Sequence, residues 1–181
     1  MQTSPSLMNS YLEIVGITPN LPFSSNTDTA KIVVSDVNDV PVISDAGGTL
    51  AFTENDGAKV IDADLTITDV DDSNIESATI AILSGYQSTE DVLAFTDANG
   101  ITGSWDASTG VLTLSGSATK EQYEAALESV TYKNESENPN TSNRTISWLI
   151  NDGTDNSSAV TSTISLTSVA DPSVISGDIS A

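Results

Sequence analysis

One short acidic segment occurs twice in this chain at a fixed spacing. Residues 36–43 read Asp-Val-Asn-Asp-Val-Pro-Val-Ile, and residues 169–175 read Val-Ala-Asp-Pro-Ser-Val-Ile. In this alignment Asp39 matches Asp171, and the two positions are 132 residues apart. Such a period is longer than a solenoid repeat and has the size of a whole domain. The sequence therefore predicts a tandem array of domains, with these segments as the first and second junctions.

The two junctions divide the chain into one whole module and two partial ones. We interpret residues 1–36 as the C-terminal tail of a preceding repeat and residues 37–170 as the complete module. Residues 171–181 are then the start of the next repeat. The tail contains two strand-like segments, residues 11–15 and 31–34, which we expect to form a hairpin. The chain is accordingly expected to be a segment of a larger protein.

The module has the sequence pattern of an all-β fold. Short runs that alternate apolar and polar residues are separated by Gly, Asn and Asp, which is typical of strands joined by turns. One segment differs: Thr119 and Gln122 have the spacing of a helix capping box, and Tyr123, Ala126 and Leu127 share a helical face. The sequence predicts an antiparallel β-sandwich of cadherin or immunoglobulin type with one short helix.

The pattern also gives expectations for individual side chains. Residues 60–68 read as one long strand, in which Asp62 and Asp64 alternate with apolar residues, so we expect both to face solvent. Trp148 lies within a strand and is expected in the core. Trp105 precedes a turn, where it is either a core residue or an exposed platform for a sugar.

The charge of the chain restricts its partners. There are 26 acidic residues, 5 basic ones and no histidine, for a net charge of −21. This charge argues against nucleic acid and anionic membranes as partners, and no apolar run approaches the ~18 residues of a membrane span. Dense like charge destabilises a compact state, so we expect bound cations. With carboxylates and amides as ligands, and neither His nor Cys available, Ca²⁺ or Mg²⁺ is favoured.

The sequence gives no specific sign of catalysis. Without histidine a Ser-His-Asp triad is impossible, and there is no Gly-rich phosphate loop. Among 26 carboxylates, some pair at the separation used by glycosidases is expected by chance. We therefore expect that the protein is not an enzyme.

Aspartates two residues apart in a turn can share a cation with side chains from other loops. Asp69 and Asp71 have this spacing, and so do Asp36 and Asn38. A single Asp in a turn is sufficiently explained by its bonds to its own backbone. The whole set favours a bound ion, because carboxylates this dense repel one another unless a cation joins them.

Five motifs together resemble the cadherin-like repeats of large bacterial RTX-type calcium-dependent surface adhesins. They occur in the family's order over one domain length: residues 35–39 (Ser-Asp-Val-Asn-Asp), 52–55 (Phe-Thr-Glu-Asn), 66–71 (Thr-Ile-Thr-Asp-Val-Asp), 106–112 (Asp-Ala-Ser-Thr-Gly-Val-Leu) and 150–153 (Ile-Asn-Asp-Gly).

The resemblance implies a calcium site at each junction. At the first junction the implied ligands are Asp36, Asn38, Asp39, Asp69, Asp71 and Asp152, and at the second they are Glu54 and Asp171. The second junction departs from the family, since Ala170 stands at the position of Asn38. The cadherin Leu-Asp-Arg-Glu segment is also replaced by residues 118–121, which leaves only Glu121. We therefore expect the first site to be better formed.

The function implied by the resemblance is structural. The module would be a calcium-rigidified extender in a tandem array, outside the cell on a bacterial surface, supporting adhesion and biofilm formation. Its partners would be the neighbouring repeats. The alternative is a calcium-dependent, lectin-like module that binds polysaccharide, which an exposed aromatic cluster would favour.

Overall fold

The computed structural model describes residues 11–14, 32–35 and 37–172. The chain divides into two compact units, Met1–Asn38 and Asp39–Ala181. In the first unit, β1 (Tyr11–Ile14) pairs antiparallel with β2 (Ile32–Ser35), which is the hairpin expected from the sequence.

The second unit contains the remaining strands and one helix. In chain order these are β3 (Val42–Ser44), β4 (Thr49–Thr53), β5 (Lys59–Val60), β6 (Thr66–Thr68), β7 (Asn74–Ser84), β8 (Asp91–Ala94), β9 (Thr102–Asp106), β10 (Val111–Thr119), α1 (Lys120–Glu128), β11 (Thr131–Asn134), β12 (Arg144–Asn151) and β13 (Val160–Thr167).

The second unit is an all-β sandwich, so the predicted fold class is confirmed. Its larger sheet has the strand order β4-β13-β12-β7-β10-β9, and the other strands form the sheets β5-β11-β8 and β3-β6. The core lies between these sheets: the rings of Phe52 on β4 and Tyr132 on β11 meet edge to face, with their centroids 5.0 Å apart. No helix in the described part of the chain is long and apolar enough to cross a membrane.

One strand pairing departs from the predicted antiparallel arrangement. β4 lies parallel to β13, so that Thr53 pairs with Thr167, whereas β12 is antiparallel to β13. Because of these directions, the residues after β4 and after β13 lie at one end of the larger sheet. The residues after β12 lie at the opposite end. The sandwich therefore presents two separate sets of loops, one at each end of its strands.

The short helix forms as the sequence predicts. The Thr119 hydroxyl accepts a hydrogen bond from the Gln122 amide at 3.3 Å, and the Gln122 side chain accepts one from the Thr119 amide at 3.0 Å. Tyr123, Ala126 and Leu127 are buried. This capping box and the apolar face are local signals, so they could be read without knowledge of the tertiary structure.

The expectation of one long strand over residues 60–68 was wrong. The chain bends after β5 and continues in a different sheet as β6, which turns Asp62 inward. This carboxylate is buried; it accepts a hydrogen bond from the Ser162 hydroxyl at 2.5 Å and from the Gly48 amide at 3.2 Å. Asp64 is exposed, as expected.

The two tryptophans have different surroundings. Trp148 is fully buried, as predicted, and its indole Nε1 donates to the Ser162 hydroxyl at 2.9 Å. Trp105 is half-buried and packs edge to face on Tyr86, with ring centroids 6.2 Å apart. Neither indole is an isolated exposed platform.

Candidate metal centres

Three aspartates meet at the end of the module where the first junction lies. Asp69 and Asp72 belong to the turn between β6 and β7, and Asp152 follows β12. One carboxylate oxygen of each lies within 4.8 Å of the corresponding oxygens of the other two. Asp152 is buried, and the other two are half-buried. We refer to Asp69, Asp72 and Asp152 as the proximal group.

Two members of the proximal group also shape their own turns. Asp69 Oδ1 accepts the amides of Asp71 at 3.1 Å and Asp72 at 2.9 Å. Asp152 Oδ1 accepts the amides of Thr154 and Asp155, both at 2.7 Å. The other Asp69 oxygen, Oδ2, is buried and has no hydrogen-bond partner. A buried acceptor of this kind is costly unless a ligand satisfies it, and a cation among three carboxylates would do so.

The proximal group is strongly negative. Desolvation by burial raises the pKa of the Asp72 carboxyl. Three neighbouring carboxylates raise this pKa further: Asp69, Asp71 and Asp152. Lys120 opposes them in part, because its Nζ donates to the backbone carbonyls of Asp69 at 2.7 Å and Asp72 at 2.6 Å. One ammonium group faces three carboxylates, so the electrostatics favour a further cation.

A second acidic group lies at the opposite end of the module. Glu54 follows β4, Asp171 lies beyond β13, and Glu137 comes from the segment between β11 and β12. Glu54 is only 5% exposed. Its Oε2 accepts the Val169 amide at 2.7 Å, whereas its Oε1 is buried without a hydrogen-bond partner. We refer to Glu54, Glu137 and Asp171 as the distal group.

Both groups fit a hard divalent cation. Each offers three carboxylates, and neither contains nitrogen or sulfur ligands. Calcium takes six to eight oxygen ligands, so backbone carbonyls and water would complete either shell. The same donor chemistry also suits Mg²⁺, as the sequence indicated. In each group one carboxylate oxygen is buried without a hydrogen-bond partner: Asp69 Oδ2 in the proximal group and Glu54 Oε1 in the distal group.

The structure brings together only some of the residues predicted for the first junction. Asp69 and Asp152 meet, and Asp72 joins them. Asp71 has a different contact: its carboxylate accepts the backbone amide of Asp39, with N–O distances of 3.2 and 3.3 Å. The sequence placed Asp72 in the same acidic turn, but the i, i+2 spacing favoured Asp71 as the ligand. Asp39 thus reaches this turn through its backbone.

Two further predicted ligands cannot be assigned to the proximal group. Asp36 lies outside the described residues, and Asn38 belongs to the first compact unit. Their role as ligands stays a prediction.

At the second junction, the predicted pair Glu54 and Asp171 lies together in the distal group. Glu137 completes this group and was missed, because nothing in the sequence places its polar loop beside Glu54. Glu121 is the carboxylate that remains in the segment replacing the cadherin Leu-Asp-Arg-Glu motif, and it is not one of the three residues of the distal group. It lies in the first turn of α1, next to Lys120, which contacts the proximal turn at the other end of the module.

The fold and these groups define a class: a β-sandwich module with acidic loops at both ends of its strands. The chain is similar to halomucin of the archaeon Haloquadratum walsbyi, with 38% identity over 112 residues. The match covers 59% of this chain and 1% of halomucin, so it corresponds to a small segment of a very long protein. No family model matches the chain.

Proposed function

We propose that this chain is a calcium-binding extender module of a large extracellular surface protein. The observation that carries the proposal is the proximal group, in which three carboxylates meet and one Asp69 oxygen, Oδ2, is buried without a hydrogen-bond partner. Similarity to a short segment of the very long halomucin supports a module in a large protein. The 132-residue spacing of the junctions supports a tandem array.

In this proposal the ion acts as a cross-link. Calcium would join the turn between β6 and β7 to the loop after β12 and neutralise their repulsion. Because the turn also holds the Asp39 backbone through Asp71, stiffening it would stiffen the first junction. Extracellular modules of this type bind calcium with dissociation constants of about 10⁻⁴–10⁻³ M. The sites would then bind calcium outside the cell. Before export they would be empty, and the junction would not be stiffened.

The proposed assignment to a particular class of surface protein rests on the five sequence motifs. They support a cadherin-like repeat of an RTX-type adhesin at a bacterial cell surface, acting in adhesion and biofilm formation. Neighbouring repeats would be its partners, and no catalytic role is proposed. The similarity to an archaeal protein is compatible with the same role in another type of cell.

The polysaccharide-binding alternative has less support. An open groove of about 460 Å³ lies beside the distal group and shares Glu137 with it. Its lining is polar and contains no aromatic side chain: Asn55, Asp56, Lys133, Asn134, Glu135, Ser136 and Glu137. Saccharide sites commonly stack a sugar on an aromatic ring, and the two tryptophans are engaged in packing. A glycan array probed in calcium and in chelator tests this alternative.

Calorimetric melting of the chain tests the main proposal. We expect a higher melting temperature in millimolar calcium than in chelator, because an ion that binds only the folded state stabilises it. A parallel scan in magnesium tests selectivity. An identical melting temperature in calcium and in chelator would end the proposal.

A further inference from the structure

Four Asn-x-Ser/Thr triplets lie between residues 134 and 158, and their asparagines belong to neither acidic group. They begin at Asn134, Asn140, Asn143 and Asn156. This triplet is the acceptor for N-linked glycosylation, in which an enzyme joins the asparagine amide nitrogen to a sugar. Such triplets also arise by chance in a chain rich in serine, threonine and asparagine. Their surroundings in the fold differ, and this difference distinguishes one of them from the other three.

Asn134, the last residue of β11, belongs to a buried polar network. It is 7% exposed. Its Nδ2 donates to Asp91 Oδ1 at 3.0 Å and to the Tyr132 hydroxyl at 3.3 Å. Arg144, whose side chain is fully buried, donates to both oxygens of the same Asp91 carboxylate at 2.9 and 3.0 Å. A sugar on Asn134 would have to replace these bonds, so the folded module excludes it.

Asn143 is exposed, but the two residues that follow it are held by the sandwich. A glycosylating enzyme must bind the whole triplet, including the hydroxyl two residues after the asparagine. Here the middle residue is the fully buried Arg144. The hydroxyl belongs to Thr145 on β12, and the Ser84 hydroxyl donates to it at 2.8 Å. The enzyme could bind this triplet only if the start of β12 left the sheet.

Asn156 is also exposed, and its triplet is held through its middle residue. Ser157 is buried, its Oγ accepts the Ile150 amide at 3.1 Å, and its own amide donates to the Ile150 carbonyl at 2.9 Å. The Asn156 side chain is engaged as well, because its Oδ1 accepts Asn151 Nδ2 at 2.9 Å. This triplet is therefore part of the body of the module.

The triplet at Asn140 differs, because all three of its residues are exposed: Asn140, Thr141 and Ser142. Asn140 Oδ1 accepts the Ser142 amide at 2.9 Å, which forms an Asx turn. Among the described residues, neither Asn140 Nδ2 nor the Ser142 hydroxyl has a hydrogen-bond partner. The acceptor nitrogen and the hydroxyl that the enzyme must bind are thus both available in the folded module.

The backbone of this triplet is fixed to the module, although its side chains are free. Arg144 Nη1 donates to the carbonyls of Asn140 at 2.7 Å and Ser142 at 2.5 Å. Glu90 Oε2 accepts the Asn140 amide at 3.0 Å, and the preceding Pro139 is buried. These bonds use backbone groups only, so they hold the triplet at a defined place on the surface and leave its side chains accessible.

We propose that Asn140 is an N-glycosylation site of the folded module, modified by an oligosaccharyltransferase. The donor would be a sugar linked to a polyprenyl phosphate. Asn140 Nδ2 forms a bond to C1 of the sugar, the bond between C1 and the phosphate oxygen breaks with its electron pair on the phosphate, and the amide gives up one proton. The inference rests on the proposed extracellular location but not on calcium binding. The glycan would be a bulky, hydrophilic group on the loop between β11 and β12.

Glycosylation of the folded 181-residue chain in vitro tests the site. The reagents are a purified single-subunit oligosaccharyltransferase that requires only the Asn-x-Ser/Thr triplet and a polyprenyl-diphosphate-linked glycan. Peptide mapping by mass spectrometry locates the product. We expect the glycan on Asn140 and on none of the other three asparagines, whereas peptides cut from the chain should be modified at all four. The inference is overturned if Asn140 stays bare in the folded chain, or if another triplet is modified as fully as Asn140.

Two neighbouring substitutions give a matched pair of variants. Ser142→Ala destroys the triplet but keeps the Asn140 side chain and the backbone bonds of the loop, so it should abolish the modification. Thr141→Ala leaves an intact Asn-Ala-Ser triplet and should be modified like the wild type. Modification of Ser142→Ala at Asn140 would contradict recognition of the triplet.

Glycosylation and calcium binding can fail separately. Asn140 belongs to neither acidic group, so Ser142→Ala should keep the whole calcium-induced rise in melting temperature. If Asn140 is modified but calcium leaves the melting temperature unchanged, the inference stands and the proposed function fails. If calcium raises the melting temperature but Asn140 stays bare, the proposed function stands and the inference fails. Peptide mapping of the parent protein, taken from its own cell surface, should also find the glycan on Asn140, and a bare Asn140 there would overturn its use in the cell.

Discussion

The substitution Asp72→Asn tests the proximal group most cleanly. Asp69 and Asp152 hold their own turns through backbone amides, so replacing either one disturbs the loop as well as the charge. Asp72 contributes its carboxylate to the same group without such a turn-forming bond, and asparagine has nearly the same shape. The substitution therefore removes a ligand charge and leaves the fold of the turn in place.

Two opposite effects are expected from Asp72→Asn. Without calcium, the variant should melt at a higher temperature than the wild type, because one of three converging negative charges is gone. With calcium, the wild type gains RT ln(1 + [Ca²⁺]/Kd) per site. For Kd values of about 10⁻⁴–10⁻³ M and about 10 mM calcium, this gain is about 1.4–2.7 kcal/mol. In a domain of this size that gain corresponds to a rise in melting temperature of roughly 4–8 °C. The variant should lose most of the rise that calcium binding at the proximal group produces.

Differential scanning calorimetry in chelator and in calcium measures both effects. The matched control is Asp64→Asn, which removes the same formal charge from an exposed position outside both acidic groups. The control should keep the full calcium-induced rise. The reasoning is refuted if Asp72→Asn keeps the full rise as well, or if it melts below the wild type in chelator.

Three further results are expected. The raised pKa of Asp72 means that the folded state holds this proton more strongly than the unfolded chain, so the ion-free wild type should lose stability as pH rises above the ordinary value of 3.8. The advantage of Asp72→Asn in chelator should therefore be present at neutral pH and vanish in melts near pH 4. Arg144→Met should lower the free energy of unfolding by about 3–5 kcal/mol in urea titrations, because it leaves the Asp91 charge buried and unpaired. Lys133→Met, at an exposed ion pair, should change it by no more than about 1 kcal/mol. Thr119→Ala should cost about 1 kcal/mol in the same assay, since it removes the helix cap; an unchanged midpoint would contradict the role of the capping box.

The sequence predicted those parts of the fold that depend on local signals. The capping box at Thr119, the buried face of α1 and the burial of Trp148 follow from residues close together in the chain. Asp62 was misplaced because the bend between β5 and β6 has no distinct sequence mark. Its burial depends on Ser162, which is 100 residues away. A hydroxyl at that distance cannot be paired with a carboxylate from periodicity alone.

For the candidate sites, too, residues in recognisable local motifs were predicted, and residues placed by contacts between distant parts of the chain were not. Asp69 and Asp152 were predicted because each lies in a turn with a recognisable motif. Asp71 was predicted in place of Asp72 because it has the i, i+2 spacing from Asp69. In the structure the Asp71 carboxylate instead accepts the backbone amide of Asp39. Glu137 was not predicted, because its closeness to Glu54 depends on tertiary contacts that the sequence does not show. Its position depends on the anchoring of its loop to Arg144 and Asp91, a contact between distant strands.

The parallel pairing of β4 with β13 has a mechanical consequence. Tension applied through the two junctions would pull the start of β4 and the end of β13 in opposite directions along their common axis. Five residue pairs, from Thr49–Thr163 to Thr53–Thr167, would then be loaded together in shear. Breaking them requires the simultaneous rupture of several hydrogen bonds, whereas a hairpin pulled open from one end loses them one at a time. A tether made of such modules would resist flow or traction by its strand directions alone.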